Sequence, residues 1–203
     1  MPTSPQFSAA EIAALQDRAT AIWHQNLEPH PPTGDGFLDT VLAQHRANFD
    51  LWHVEDRARA PQAADHEIAA VKRDVDRYNQ LRNDLAELCD LRLTEALRAA
   101  SLPNPAAELN SESPGLMIDR LSILALKLYH TAVEIDRPNA PLGHSERNRE
   151  RLVLLQEQRD DLVQCLDRLW QQVVAGTRRF KIYRQLKMYN DPTLNPAIYR
   201  GNP

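Results

Sequence analysis

Apolar residues three and four apart recur along most of this chain, and that spacing suits helices and little else. It is strictest near the C-terminal end, in Leu152, Leu155, Leu162, Leu166, Leu169 and Val173. No stretch rich in Val, Ile, Thr or aromatics alternates with period two, and only 6 glycines are present, so strands are not expected. Apolar residues make up 42% of 203, enough for one packed core. The pattern predicts a single domain over 1–203, an all-α bundle of four to five long helices plus a short basic C-terminal helix.

The breaks between helices follow from capping and proline chemistry. Ser8-Ala9-Ala10-Glu11 reads as a capping box opening a helix to about Leu27. Pro29, Pro31, Pro32, Gly34 and Gly36 make a loop, and a second helix runs from about Phe37 to Arg59, before Pro61. Asp65 is expected to cap a third helix to about Ala100, with Ile68, Val71, Val75, Tyr78, Leu81, Leu85 and Leu88 as its apolar stripe. Pro103 to Ser113 reads as a linker. Ser113-Pro114 then opens a fourth helix that ends before Pro138. Ser145 is expected to cap the fifth, which Gly176 stops. Thr177 to about Tyr189 reads as the short basic helix, with 190–203 an extended tail.

Charge and composition exclude several classes. A net charge of −4 argues against general nucleic-acid binding. No apolar run approaches the ~18 residues of a membrane span, and Met1 to Ala10 lacks the marks of a signal peptide, so a cytoplasmic location is expected. Cys89 and Cys165 sit on apolar helix faces and read as buried free thiols. There is no Gly-rich phosphate loop, HExxH, CxxC, GxSxG or paired Glu-x-x-His pattern, which disfavours common hydrolases and di-iron oxidases.

Polar residues interrupt the apolar faces in a way that points to a site. On the second helix Leu38, Val41, Leu42, Phe49 and Trp52 share one arc at about 100° per residue. His45 and Asp56 point into that arc, with Asn48 and Glu55 on its margin and His53 one turn from Asp56. These groups either bind a ligand, metal or proton, or satisfy one another by hydrogen bonding. On the third helix Asn79 and Asn83, beside Arg82, suggest fixed hydrogen bonds or a solvated face. The fourth helix is apolar nearly all round and should be central. Asp119, Arg120, Lys127, His130 and Glu134 form a polar stripe along it, with Ile123 inside, either a partly covered groove or simply the wet side. Arg159 at a seam position calls for a carboxylate, most simply in a structural ion pair. Residues 177–190 hold five basic side chains and no acidic one, leaving the rest of the chain at −9. Arg179, Arg184 and Lys187 there suit an anion, or serve the buried carboxylates of the protein itself.

Four motifs in order carry a family resemblance. They are Asn48-Phe-Asp-Leu-Trp-His-Val-Glu-Asp-Arg57, Asp76-Arg-Tyr-Asn-Gln-Leu-Arg-Asn-Asp84, Ser113-Pro-Gly-Leu-Met-Ile-Asp-Arg-Leu-Ser-Ile-Leu124 and Phe180-Lys-Ile-Tyr-Arg-Gln-Leu-Lys-Met-Tyr-Asn-Asp191. Over about residues 40–200 the chain resembles a bacterial family known only as a domain of unknown function. The Pro-Gly-x-x-Ile-Asp-Arg-Leu-Ser-Ile-Leu run is also similar to a second uncharacterised bacterial family. Members of both tend to be encoded beside glycosyltransferases and other surface-polysaccharide genes. The resemblance implies a cytoplasmic protein connected with glycan or lipopolysaccharide assembly and assigns no catalytic residue.

Two readings of different class follow. In the first, an internal polar pocket binds an anionic, phosphorylated or nucleotide-bearing small molecule, using Asn48, His53, Glu55, Asp56, Asn79, Asn83, Asp119, Arg120, Lys127, His130, Arg179, Arg184 and Lys187. In the second, the protein is a scaffold that dimerises through its long helices and docks on a glycosyltransferase, its polar groups fixing helix register. A third and weaker reading is a metal-dependent enzyme using His53, Asp56, His130 and Glu134; no metal or cofactor is assigned from sequence.

Overall fold

The protein's structure, a computed structural model, describes residues 7–26, 32–184 and 192–196. Among these, five helices and one strand pair follow in the order α1 (Ala9–Asn26), α2 (Gly36–Ala58), α3 (Asp65–Arg98), β1 (Glu108–Leu109), α4 (Pro114–Ile135), α5 (His144–Val174) and β2 (Arg178–Arg179). The all-α bundle expected from periodicity is the observed fold. No helix of the described residues is long and apolar enough to cross a membrane.

Local chemistry sets the helix starts. The Asp35 carboxylate accepts from the Phe37 and Leu38 amides to open α2, and the Ser113 side chain accepts from Leu116 N ahead of Pro114 at the start of α4. Two expected caps are displaced. Ala64, not Asp65, precedes α3, and the Glu67 carboxylate reaches back to the Ala64 N–H at 2.8 Å. Gly143 precedes α5 with φ of 75°, while the Ser145 hydroxyl instead donates to Ile135 O and ties the end of α4 to α5.

α4 is central, as its nearly all-round apolar surface requires, and it touches the other four helices. One side carries Met117, Ile118, Leu121, Leu124 and Leu128 into the main core with Leu155, Leu162, Leu166, Leu169 and Val173 of α5. Its opposite side sends Leu126 into a second core with Leu15, Ala19, Trp23, Leu42 and Phe49. Each fully buried aliphatic side chain contributes about 1.5–3 kcal/mol, so these faces hold the bundle.

The stripe predicted for α3 is not core. Ile68, Leu81 and Leu88 are exposed, and the buried residues of α3 begin at Ala86. α3 has 34 residues and packs on α2 and α4. Its buried residues all lie in the second half, so part of a stripe that a bundle would bury is left open. Cys89 is buried as expected, but Cys165 is exposed, on the flank of the α5 seam; both are free thiols.

The predicted basic helix is absent over the described part, 177–184. Gly176, at φ of 72°, ends α5, and its N–H bonds back to Val173 O. The chain then extends and pairs in parallel with β1, Glu108 opposite Arg178 and Leu109 opposite Arg179. Asn110 N bonds to Arg179 O, so the expected linker is held as a short ribbon.

One glycine is demanded by packing. A Cβ on Gly115 would lie 2.2 Å from Ala86 O and 2.9 Å from the Asp90 carboxylate. α4 thus meets α3 backbone to backbone, and the Asp90 carboxylate accepts from Gly115 N at 2.7 Å. Gly115→Ala is expected to cost on the order of 3 kcal/mol and lower the Tm by about 6–12 °C, measured by thermal unfolding. A Tm unchanged from wild type would mean the two helices are not in contact there.

Candidate functional site

Asp119 lies one turn into α4 from Gly115 and is 8% exposed. Its Oδ1 accepts from Gln44 Nε2 at 2.5 Å and Asn48 Nδ2 at 2.9 Å, and its Oδ2 faces Arg82 Nη2 at 3.2 Å. Arg82 also donates to Asn48 Oδ1 at 3.3 Å. Burial pushes the Asp119 carboxyl above the usual range, and the Arg82 guanidinium and the two amides pull it back.

The network continues inward through one ordered set of protons. Thr20 Oγ1 donates to Gln16 O at 2.9 Å, so it accepts from His45 Nε2 at 2.8 Å. His45 Nδ1 then accepts from Ser122 Oγ at 2.7 Å, and Ser122 accepts from Asn48 Nδ2 at 2.9 Å. Burial pushes His45 down to about 3, so the ring is neutral, as this chain of donors requires.

Beside Asp119 a cleft of about 870 Å³ runs between α4, α5, the 110–112 segment and Arg178. Arg82, Arg120, Lys127, Arg168 and Arg178 line it, against the carboxylates Glu112, Asp119 and Asp161. Arg120 pairs with Glu112 at 2.9 Å and Arg178 with Glu108 at 2.9 Å. Lys127 and Arg168 reach the cleft without a carboxylate partner among the described residues. A second space of about 370 Å³ lies on the other side of Ile123, bounded by Asn48, Leu51, Trp52, Glu55, Asp56 and Arg59.

The sequence-predicted residues divide among these places. Asp119, Arg120 and Lys127 line the large cleft, while Asn48, Glu55 and Asp56 border the smaller space. Glu55 pairs with Arg59 at 3.0 Å. Asp56 does not point into the core; it is exposed near the C-terminal end of α2, at the edge of an open space. Asn79 and Asn83 are half-buried on α3 and line neither space; Arg82 between them makes the network contacts. Arg179 is turned away, its Nε donating to Ala107 O at 2.8 Å, and Arg178 faces the cleft instead. In an extended segment neighbours point to opposite sides, so the helical grouping of Arg179 with Arg184 fails. Arg184 lies against Glu87 at 3.6 Å, outside the cleft, and Lys187 lies outside the described residues. Arg159 makes its expected ion pair, with Asp17 of α1. Gln44, Ser122, Arg168 and Arg178 were missed. A glutamine at i−4 from Asn48 on the buried arc was the signal for Gln44; Arg178 lay in the basic run and Ser122 in a quoted motif without being singled out, and no pattern marked Arg168.

The proposed metal ligands also regroup. Glu134 turns to His144 at 2.8 Å and Arg137 at 3.1 Å. His53 and His130 instead meet His24 of α1, with one ring nitrogen of each within 4.8 Å of the others. Burial, then the neighbouring His24 and His53, push His130 down to about 4; burial likewise lowers His24.

The first three quoted motifs sit on α2, α3 and α4, the helices that meet at Asp119, while the fourth begins after β2 and runs on outside the described residues. A family model described as protein of unknown function (DUF4254) matches residues 38–182. The chain belongs to that family. The matched span runs from α2 to just past β2 and leaves out α1, which supplies Thr20 and His24. No curated protein and no solved structure matches the chain.

The buried groups shape the acid response. His45, lowered from 6.5 to about 3, adds stability above pH 6.5 that is lost as pH falls, a total of about 5 kcal/mol. Asp90, raised by burial from 3.8 to about 6, opposes this: its cost of about 3 kcal/mol at neutral pH is relieved as pH falls from 6 to 4. Between pH 6.5 and 4 the two nearly cancel, about 3 kcal/mol of the histidine loss against about 2 kcal/mol of the Asp90 gain, and the raised Asp119 carboxyl adds to the gain. Asp90→Asn removes one side of that balance, so urea unfolding should show the variant losing more stability than wild type over this window. Equal pH slopes in the two proteins would show Asp90 to be solvated.

Proposed function

We propose that the protein binds an anionic small molecule, phosphorylated or nucleotide-bearing, in the cleft beside Asp119. The observation that carries this is the pair Lys127 and Arg168, on α4 and α5, reaching one cleft without carboxylate partners among the described residues. Arg120 and Arg178 stand at its margin with solvent-facing carboxylates that an anion can outcompete. A volume of about 870 Å³ is of the size that holds a nucleotide-sized ligand. Asp119 is then a positioning group: it holds Arg82 at the cleft wall. The setting we propose, surface-glycan or lipopolysaccharide assembly in a bacterial cytoplasm, is supported by the resemblance in the four motifs.

A thermal-shift screen of nucleotide sugars and sugar phosphates tests the reading. A ligand at about 100 times its Kd stabilises by about 2.7 kcal/mol and should raise the Tm by about 5–11 °C. The double variant Lys127→Glu, Arg168→Glu should lose that shift, while its unliganded Tm stays within about 2 °C of wild type, both side chains being on the cleft surface. Folded wild-type protein that responds to none of these ligands, and carries none on native mass spectrometry, would overturn the reading.

One observation favours the scaffold reading: α3 leaves Ile68, Leu81, Leu88 and Leu91 exposed. Leu81 and Leu88, one heptad apart, share a face, and such a face suits a second copy or a glycosyltransferase partner. Light scattering should then report a dimer of the purified chain, and Leu81→Glu, Leu88→Glu a folded monomer. A wild-type monomer at high concentration would remove the homodimer from this reading.

A further inference from the structure

We propose that His24 of α1, His53 of α2 and His130 of α4 form a three-histidine zinc site, separate from the anion cleft. Geometry, hydrogen bonding and burial each point there. One ring nitrogen of each histidine lies within 4.8 Å of the other two. Three atoms on such a triangle are about 2.8 Å from its centre, so closing on zinc at about 2.0–2.1 Å asks each ring to move inward by less than about 1 Å.

The second argument is the fixed tautomer. His24 Nδ1 lies 2.8 Å from Thr20 O, and His53 Nδ1 lies 2.9 Å from Phe49 O. A carbonyl only accepts, so both Nδ1 atoms carry the proton and both Nε2 atoms hold a lone pair. Bonding of the distal ring nitrogen to a carbonyl is what orients histidines at metal centres. The third argument is the unsatisfied ring nitrogens. His24 Nε2 and His130 Nε2 are buried with no hydrogen-bond partner among the described residues. Buried polar atoms are seldom left so, and two of them within one cluster of three imidazoles suit a shared cation.

The rings are also held. Trp52 stacks on His130 at 4.6 Å and 2°, and Tyr129 on His24 at 4.0 Å and 22°. Burial keeps His24 and His130 in the neutral form that coordinates metal. Three neutral imidazoles are a ligand set for zinc that leaves a fourth position open. Asp56 and Glu134, whose charge reaches His130, offset part of the ion's charge without belonging to the ligand set. His53 and His130 fall within the matched family span and His24 outside it.

The test is metal titration of the full chain, free of any histidine tag and stripped with chelator. Zinc should bind at one equivalent per chain and raise the Tm. Cobalt should give the visible absorption of a four-coordinate site. His24→Gln, His53→Gln and His130→Gln should each weaken zinc binding at least tenfold, while exposed His66→Gln leaves it unchanged. Circular dichroism checks folding, and half-buried His53 supplies a variant that keeps the core intact. Folded wild-type protein that takes up no zinc at one equivalent would overturn the site, as would a folded His53→Gln protein that binds zinc like wild type. The outcome is independent of the anion reading, because Lys127→Glu, Arg168→Glu should retain zinc binding.

Discussion

The bundle is arranged around the burial of one carboxylate. Asp119 sits 8% exposed on the central helix, where an uncompensated charge would cost several kcal/mol. Its compensation comes from two other helices: Gln44 and Asn48 on α2, and Arg82 on α3. All three reach Asp119 only if α2, α3 and α4 are at one rotation and one register. An apolar interface tolerates sliding because its contacts are interchangeable. A carboxylate with directional donors does not, so Asp119 sets a geometry that the leucine cores alone would leave loose.

The same constraint explains the Pro-Gly step at the start of α4. For Arg82 to reach Asp119, α4 must enter close to α3, and that is where Gly115 meets the Ala86 carbonyl. Asp90 closes the contact by accepting the Gly115 N–H. A second buried carboxyl, raised to about 6, thus holds the helix start, and its energetic cost is part of what the close approach requires. His45 extends the register inward to Thr20, so α1 is tied to the network by hydrogen bonds as well as by Trp23.

Where residue chemistry acts locally, the sequence was legible. Caps, prolines and the 3–4 leucine spacing placed all five helices, because these signals operate within a turn or two of themselves. Burial is another matter. The periodic arc of α2 runs on through Asp56, but an arc only says which side faces a neighbour, not whether a neighbour is there. Asp56 and the first half of α3 share that error: Asp56 borders an open space, and the buried residues of α3 begin only at Ala86. The segment after Gly176 failed for a related reason. Its residues fit a helix in isolation, and a strand of two residues has no period to detect; its pairing with Glu108 and Leu109 is visible only in three dimensions. The consequence for the site is specific: alternation turns Arg178, not Arg179, to the cleft. Asn48 and Asp119 were singled out on separate helices, and the structure joins them directly and through Arg82, because buried polar groups on packed helices are satisfied by one another.

The polar stripe of α4 carries more than one task, and its order matters. Asp119 and Ser122 face the buried network, Ile123 stands between the two open spaces, Lys127 reaches the cleft, and His130 meets His24 and His53. These positions span three turns of one helix whose remaining faces are locked in two cores. A helix held that way moves as a rigid body or not at all. The cleft and the imidazole cluster therefore stand on one rigid element but are completed by different neighbours, the cleft by α5 and Arg178, the cluster by α1 and α2. A change at Lys127 leaves His130 on a helix that both cores still hold.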